Sequence, residues 1–141
     1  MNEAPRNLLH QEKLVVRWGD MDALGHTNNA IYFTYFEQCR CGWLAAINRS
    51  GAVSSNLGNG PVLLNAAASF HLPLIFPANI IVSMYGGTPG RSSFNSYYEI
   101  RDADDTDTLY TTGEAKVVWV DQQAGKSVPV PEDIRALLPS N

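Results

Sequence analysis

Arg17-Trp18-Gly19-Asp20-Met21-Asp22-Ala23-Leu24-Gly25-His26-Thr27-Asn28-Asn29-Ala30-Ile31-Tyr32-Phe33 joins two different hydrophobic periods. Before it, Leu14-Val15-Val16-Arg17-Trp18 is β-branched and aromatic, which reads as a first strand. After it, from Asn29 to Ser50, Phe36, Cys39, Trp43, Ala46 and Ile47 recur at helical spacing. Glu37, Gln38, Arg40, Asn48 and Arg49 fall mostly away from that stripe. Asn28 or Asn29 suits the N-cap, and Gly51 suits the residue beyond the C-terminus. Roughly 20 helical residues would measure about 30 Å. That is long for a chain of 141 residues, so the helix is expected to run through the middle of the fold.

Beyond a Gly/Ser/Asn-rich loop (50–60), only strand patterns follow. Val62–Phe70 alternates, placing Val62, Leu64, Ala66, Ala68 and Phe70 on one expected face; Ile80–Tyr85 comes next, after the turn-like Pro73–Pro77 segment. Gly86–Gly90 reads as a turn, Ser93–Ile100 as a strand, Asp102–Asp107 as an acidic turn and Thr108–Val120 as a long strand. Asp121–Gly125 closes that strand, and Pro131–Leu138 suits a short C-terminal helix. One long helix followed by antiparallel strands means α+β, with a sheet of about five strands packed on one side of the helix. There is no βαβ alternation, internal repeat or low-complexity segment. The expectation is one domain over 1–141, with a polar, poorly ordered tail over 1–11.

The segment between the two periods concentrates chemistry. Two carboxylates, an imidazole and two carboxamides precede a helix start, whose free N–H groups and positive dipole end favour an anionic transition state. A carboxylate at Asp22 can act as general base toward water or attack a carbonyl itself; the bland alternative is a loop aspartate that bonds backbone N–H groups. Asp20 is expected to be structural. Backbone N–H groups around Asn29, Ala30 and Ile31 are the candidates for holding an oxyanion.

The pattern G-D-x-D-x-x-G-H-x-N-N-x-x-Y-F, spelled by Gly19, Asp20, Asp22, Gly25, His26, Asn28, Asn29, Tyr32 and Phe33, resembles the signature of the hotdog-fold acyl-CoA thioesterases, specifically the 4-hydroxybenzoyl-CoA thioesterase-like family. Phe70-His71-Leu72-Pro73-Leu74, Gly90-Arg91-Ser92-Ser93-Phe94 and Val128-Pro129-Val130-Pro131 are similar to later family segments, so the resemblance covers about residues 12–138. It implies a hotdog, a sheet curled around a central helix. It also implies Asp22 as the catalytic carboxylate, with His26, Asn28 and Asn29 beside it and Gly25, Ala30, Ile31 and Tyr32 around the substrate. Arg91, Ser92 and Ser93 would meet coenzyme A phosphates. Plant acyl-carrier-protein thioesterases carry a similar D-x-x-x-H-x-N-N pattern and use Asp and His together, but Leu24 stands here where they have Asn. A separate hotdog subfamily uses a helical Glu, for which Glu37 is the counterpart; pairing with Arg40 is its ordinary explanation. His10 and His71 are read as bland.

Composition narrows the remaining classes. A net charge of −4 without any basic run argues against a nucleic-acid partner. Charged residues make up 17% of the chain, below the ordinary share of about 25%, which favours a homodimer or homotetramer. Cys39 and Cys41 lie two apart on the helix and face different ways, so neither a disulfide nor a shared metal is expected. No apolar run reaches the roughly 18 residues of a membrane span, and a cytoplasmic location is expected. Gly86–Ser92 lacks the spacing and Lys of a phosphate loop, and 104–107 lacks a calcium-loop pattern. The expectation is a thioester hydrolase acting on acyl-CoA without metal or redox cofactor, coenzyme A being part of the substrate. The alternatives are an acyl-carrier-protein thioesterase and a non-catalytic acyl-CoA-binding subunit.

Overall fold

The computed structural model describes residues 4–48 and 58–140. Strand β1 (Arg6–Val16) leads through a 3-10 turn (Trp18–Asp20) to helix α1 (Ile31–Ala46). Strands β2 (Asn59–Phe70), β3 (Ala78–Gly87), β4 (Ser93–Asp102), β5 (Leu109–Asp121) and β6 (Lys126–Ser127) follow, then the one-turn helix α2 (Glu132–Arg135). The sheet is antiparallel throughout, in the order β1-β3-β4-β5-β2, and β6 pairs with the end of β5. One long helix lies on one face of this sheet, as the resemblance implied.

The core forms where the aromatic stripe of α1 meets the inward alternation of β3, β4 and β5. Tyr32, Tyr35, Phe36, Cys39, Trp43 and Leu44 are buried on the helix, opposite Val82, Met84, Phe94, Tyr98, Ile100, Val117 and Trp119. Phe36 stacks on Tyr98 with ring centroids 4.8 Å apart, and Trp43 meets Phe94 edge-on at 6.1 Å. Such pairs stabilise beyond the area they bury. The approach is close enough that a Cβ at Gly113 would lie 2.5 Å from the Phe36 ring. Burial pushes the Cys39 thiol up to about 12, with the Glu12 charge adding to the effect, so it packs as a small hydrophobe.

Several expectations are corrected. The polar segment before residue 12 is not a loose tail from Arg6 onward: it is the first half of β1, paired with β3 from Arg6↔Gly87 to Val16↔Ala78. An edge strand with one wet face reads as polar. Trp18 lies outside the strand, in the 3-10 turn, and is 76% exposed. α1 starts at Ile31 and ends at Ala46, and Asn48 takes the left-handed conformation (φ 62°) after it, a role an asparagine fills readily. Gly51 lies outside the described residues. In β2 the pairing shifts between Leu63 and Asn65, so Val62 and Ala66 do not share one face. Val62 pairs with Val118 on the outer face, whereas Ala66, Ala68 and Phe70 stay on the helix side.

Candidate active site

The loop between β1 and α1 is built on Asp20. Its Oδ2 accepts hydrogen bonds from the Tyr35 hydroxyl (2.7 Å) and the Arg17 backbone N–H (3.1 Å); its Oδ1 accepts from Arg17 Nη2 (3.1 Å) and Nε (3.3 Å). Burial pushes the carboxyl up, but these donors and the Arg17 charge outweigh it and hold it below the usual value. Asp20 is thus an ionised anchor, spent on structure.

Asp22 sits in a small hairpin closed by the Met21–Thr27 bridge. The Asp22 N–H donates to the His26 carbonyl (2.8 Å) and the Gly25 N–H to the Asp22 carbonyl (3.1 Å). Gly25 takes φ 81°, a backbone state that costs a side-chain-bearing residue energy. The Leu24 and His26 N–H groups donate to Asp22 Oδ1 at 2.9 and 3.4 Å. Oδ2 receives no hydrogen bond among the described residues, so the carboxylate is aimed by one oxygen and open at the other. Thr27 ties the hairpin to the segment after β2: its N–H (2.8 Å) and hydroxyl (2.7 Å) both donate to the Leu74 carbonyl.

The helix start narrows the oxyanion candidates. The Asn28 side chain accepts from the Ala30 N–H (3.0 Å), the Asn28 carbonyl accepts from the Ile31 N–H (2.9 Å), and the Asn28 N–H donates to the Asp20 carbonyl (2.9 Å). Asn28 therefore does the capping, and the Ala30 and Ile31 donors are already engaged. The Asn29 N–H makes no hydrogen bond among the described residues.

A cleft of about 310 Å³ brings Asp22, His26, Asn29 and Tyr32 together. Tyr32 is buried with its ring 4.8 Å from Phe70, and burial, with the Asp22 charge adding to it, pushes its phenol up; it remains a neutral hydroxyl at ordinary pH. On its other side Asp22 borders a groove of about 540 Å³ walled by Trp18, Met21, Ile75 and Phe76.

Some placements differ from the expectation. His71, read as bland at a strand end, lines the Asp22 cleft, and its Nε2 lies 3.0 Å from the Thr112 hydroxyl. Arg91, Ser92 and Ser93 do not line that cleft. They form the β3–β4 turn, whose backbone is held by the C-terminal segment: the Val130 N–H donates to the Arg91 carbonyl (2.9 Å), and Arg135 donates to the Gly90 and Arg91 carbonyls (2.9 and 3.0 Å). Glu37 is exposed on α1, while Arg40 donates to the Tyr98 hydroxyl at 3.0 Å. Among the described residues, no group of three or more His, Cys, Asp or Glu side chains could hold a metal ion. Nor is any helix long and apolar enough to cross a membrane.

Residues 16–138 match the family model of the thioesterase-like superfamily. The chain belongs to that superfamily. It is a thioester hydrolase with the hotdog fold. A proposed thioesterase of Pseudomonas aeruginosa is 36% identical over 92% of this chain and 97% of its own, with a TM-score of 0.85. A proposed acyl-CoA thioesterase of Xanthomonas campestris is 35% identical over 85% of this chain and 99% of its own, with a TM-score of 0.74. The 1,4-dihydroxy-2-naphthoyl-CoA thioesterase of Synechocystis shares the fold at 17% identity, covering 94% of this chain and 95% of its own with a TM-score of 0.80. No curated protein matches the chain. The matched span holds the whole Asp22 hairpin, the start of α1 and the His71 segment, so this thioesterase carries its cleft within the part that defines the family.

Proposed function

We propose that this thioesterase hydrolyses an acyl-CoA to the free carboxylic acid and coenzyme A, with Asp22 as general base or nucleophile. The observation that carries the reading is the Asp22 carboxylate itself. Two hydrogen bonds aim Oδ1 within the loop, Oδ2 is left open, and the start of α1 lies in the same cleft. Among the described residues the Asn29 N–H is an unspent backbone donor there, and Tyr32 and His26 line the same walls. Hydrolysis adds water oxygen, or an Asp22 oxygen first, to the thioester carbonyl; the resulting oxyanion needs donors that do not have to reorganise. The groove walled by Trp18, Met21, Ile75 and Phe76 offers apolar surface for the acyl group next to Asp22. Coenzyme A enters as substrate and no further cofactor is required.

The functional unit in this reading is at least a dimer, in the cytoplasm. β2 is an edge strand of the sheet, and Val62, Leu63, Leu64 and Phe70 on it are 43, 42, 66 and 51% exposed. Such an edge pairs with another strand unless it is blocked, and pairing with β2 of a second copy would be isologous. Arg91 and Ser92, away from Asp22 within one chain, would then meet the coenzyme A phosphates from the partner subunit. The test is free-thiol release from a panel of acyl-CoAs, with Asp22→Asn alongside. Wild-type turnover in the variant would refute the assignment of Asp22, and no release from any acyl-CoA would refute the substrate class. Sedimentation as a monomer at micromolar concentration would refute the dimer.

A further inference from the structure

His71 lies outside the motif that led to Asp22, yet three features fix it against the same cleft. The hydrogen bonds of Thr27 to the Leu74 carbonyl lock the Asp22 hairpin to the segment that carries His71. The N–H groups of His71 and Leu72 both donate to the Tyr110 carbonyl, at 2.8 and 3.2 Å, which pins the backbone at the end of β2. The ring is held as well, because Nε2 lies 3.0 Å from the Thr112 hydroxyl on β5. His26 lines the cleft too, but its ring makes no hydrogen bond among the described residues. Of the two imidazoles, His71 is the oriented one.

Its position is also a junction. A second cleft, about 430 Å³, runs over the outer face of β5 and β2, across Ala67, Gly113 and Ser69, and His71 lines both it and the Asp22 cleft. A thioester has the same division: an acyl carbon on one side, a long thiol arm on the other, and the sulfur between them. We propose that His71 is a second catalytic residue, donating a proton to the sulfur as the thiol departs along this outer cleft.

The step rests on the reading of Asp22 given above but is indifferent to whether Asp22 acts as base or nucleophile. In either case the carbon–sulfur bond breaks and its electron pair leaves on sulfur. To serve as the acid the ring starts as an imidazolium, with a proton on each nitrogen: Nε2–H faces the Thr112 hydroxyl oxygen, and Nδ1–H is the donor left for substrate. That proton passes to sulfur, so a free thiol leaves. Water supplies the oxygen and the protons of the products, and His71 regains its proton from the one released at Asp22 or from solvent. Thr112 touches His71 rather than substrate and is a positioning residue.

Leaving-group dependence tests the assignment. A CoA thioester from the panel and the thiophenyl ester of the same acid are compared in wild type, His71→Gln, Thr112→Val and Asp22→Asn. Loss of a general acid costs about 10²-fold or more in kcat with the alkyl thiol of coenzyme A. It costs less than about threefold with the aryl thiolate, which is a weaker base and leaves without help. Thr112→Val is expected to show the same selectivity at smaller size, a pattern that a merely structural role would not produce. Equal losses on both esters in His71→Gln, or no loss on either, overturn the proposal while Asp22→Asn remains inactive. An active Asp22→Asn protein instead overturns the reading on which it rests. Should His71→Gln fail to fold, Thr112→Val decides alone: unselective behaviour there overturns the proposal equally.

Discussion

Removing one oxygen atom from Tyr35 measures how firmly the catalytic loop is anchored. Tyr35→Phe deletes the hydroxyl that donates to Asp20 Oδ2 at 2.7 Å and leaves the buried ring in place. No cavity opens, so the change isolates one hydrogen bond to an ionised, buried carboxylate. Such bonds contribute about 1.5–3 kcal/mol. Arg17 still supplies a backbone N–H and two guanidinium donors, so the carboxylate is not left bare. A loss of about 2 kcal/mol is therefore expected, or about 4–8 °C in melting temperature for a domain of this size. The effect must depend on pH. Burial raises the Asp20 carboxyl, but its donors hold it below the ordinary value, so its folded pKa lies under the unfolded value of about 3.9. A depressed carboxyl contributes stability that is full above the unfolded value and lost as pH falls through the folded one. The gap between wild type and Tyr35→Phe should then shrink toward the roughly 1 kcal/mol of a neutral bond. Thermal melts at one fixed protein concentration, from pH 7 down through the carboxylate range, make the measurement. Equal melting temperatures at pH 7, or a gap that holds or widens in acid, would refute the anchor.

Asp22→Ala should lower kcat by about 10² or more, while circular dichroism shows a folded protein, because the bonds lost are exposed loop contacts; normal turnover would count against the assignment. Gly113→Ala should cost about 1–3 kcal/mol by overpacking, since the Phe36 ring in its way is itself stacked on Tyr98; an unchanged denaturant midpoint would mean that the ring has room. Gly25→Ala meets open space but keeps a left-handed backbone, so a loss of about 1 kcal/mol is expected, and a gain in stability would show that the hairpin relaxes. Arg91→Ala should raise KM for acyl-CoA more than it lowers kcat, and should matter less for a truncated thioester without the nucleotide. Equal effects on both substrates would show that Arg91 acts through folding.

The long helix was legible because its buried face repeats Phe36, Cys39 and Trp43 at fixed spacing, a pattern that survives any uncertainty at its ends. Its ends were harder to place, because Asn28 caps through its side chain two residues ahead of Ala30 and the stripe fades at Ala46, which is exposed. The first half of β1 was illegible for a different reason. Asn7, Gln11 and Lys13 face solvent on an edge strand, and polar residues there look like a tail until the pairing with β3 is seen. β2 shows the limit of a period-two rule. The shift between Leu63 and Asn65 reverses the faces midway, and nothing in Val62-Leu63-Leu64-Asn65 announces it.

The candidate site divides along the same line. Asp22, His26, Asn29 and Tyr32 are close in sequence, so one hairpin and one helix start suffice to gather them, and a local motif can display them. His71 reaches the same cleft through tertiary structure alone: β2 must pair with β5 in register, Ser69 opposite Thr112, before the ring of His71, two residues on, can find the Thr112 hydroxyl. The sequence did hold a weak mark of it, an imidazole set within Phe70-His71-Leu72-Pro73-Leu74, where apolar residues and a proline surround the one polar side chain. Its ring is exposed, so burial does not call for a partner; what sets it apart is that Thr112 meets one ring nitrogen while the residue lines the cleft that Asp22 also lines.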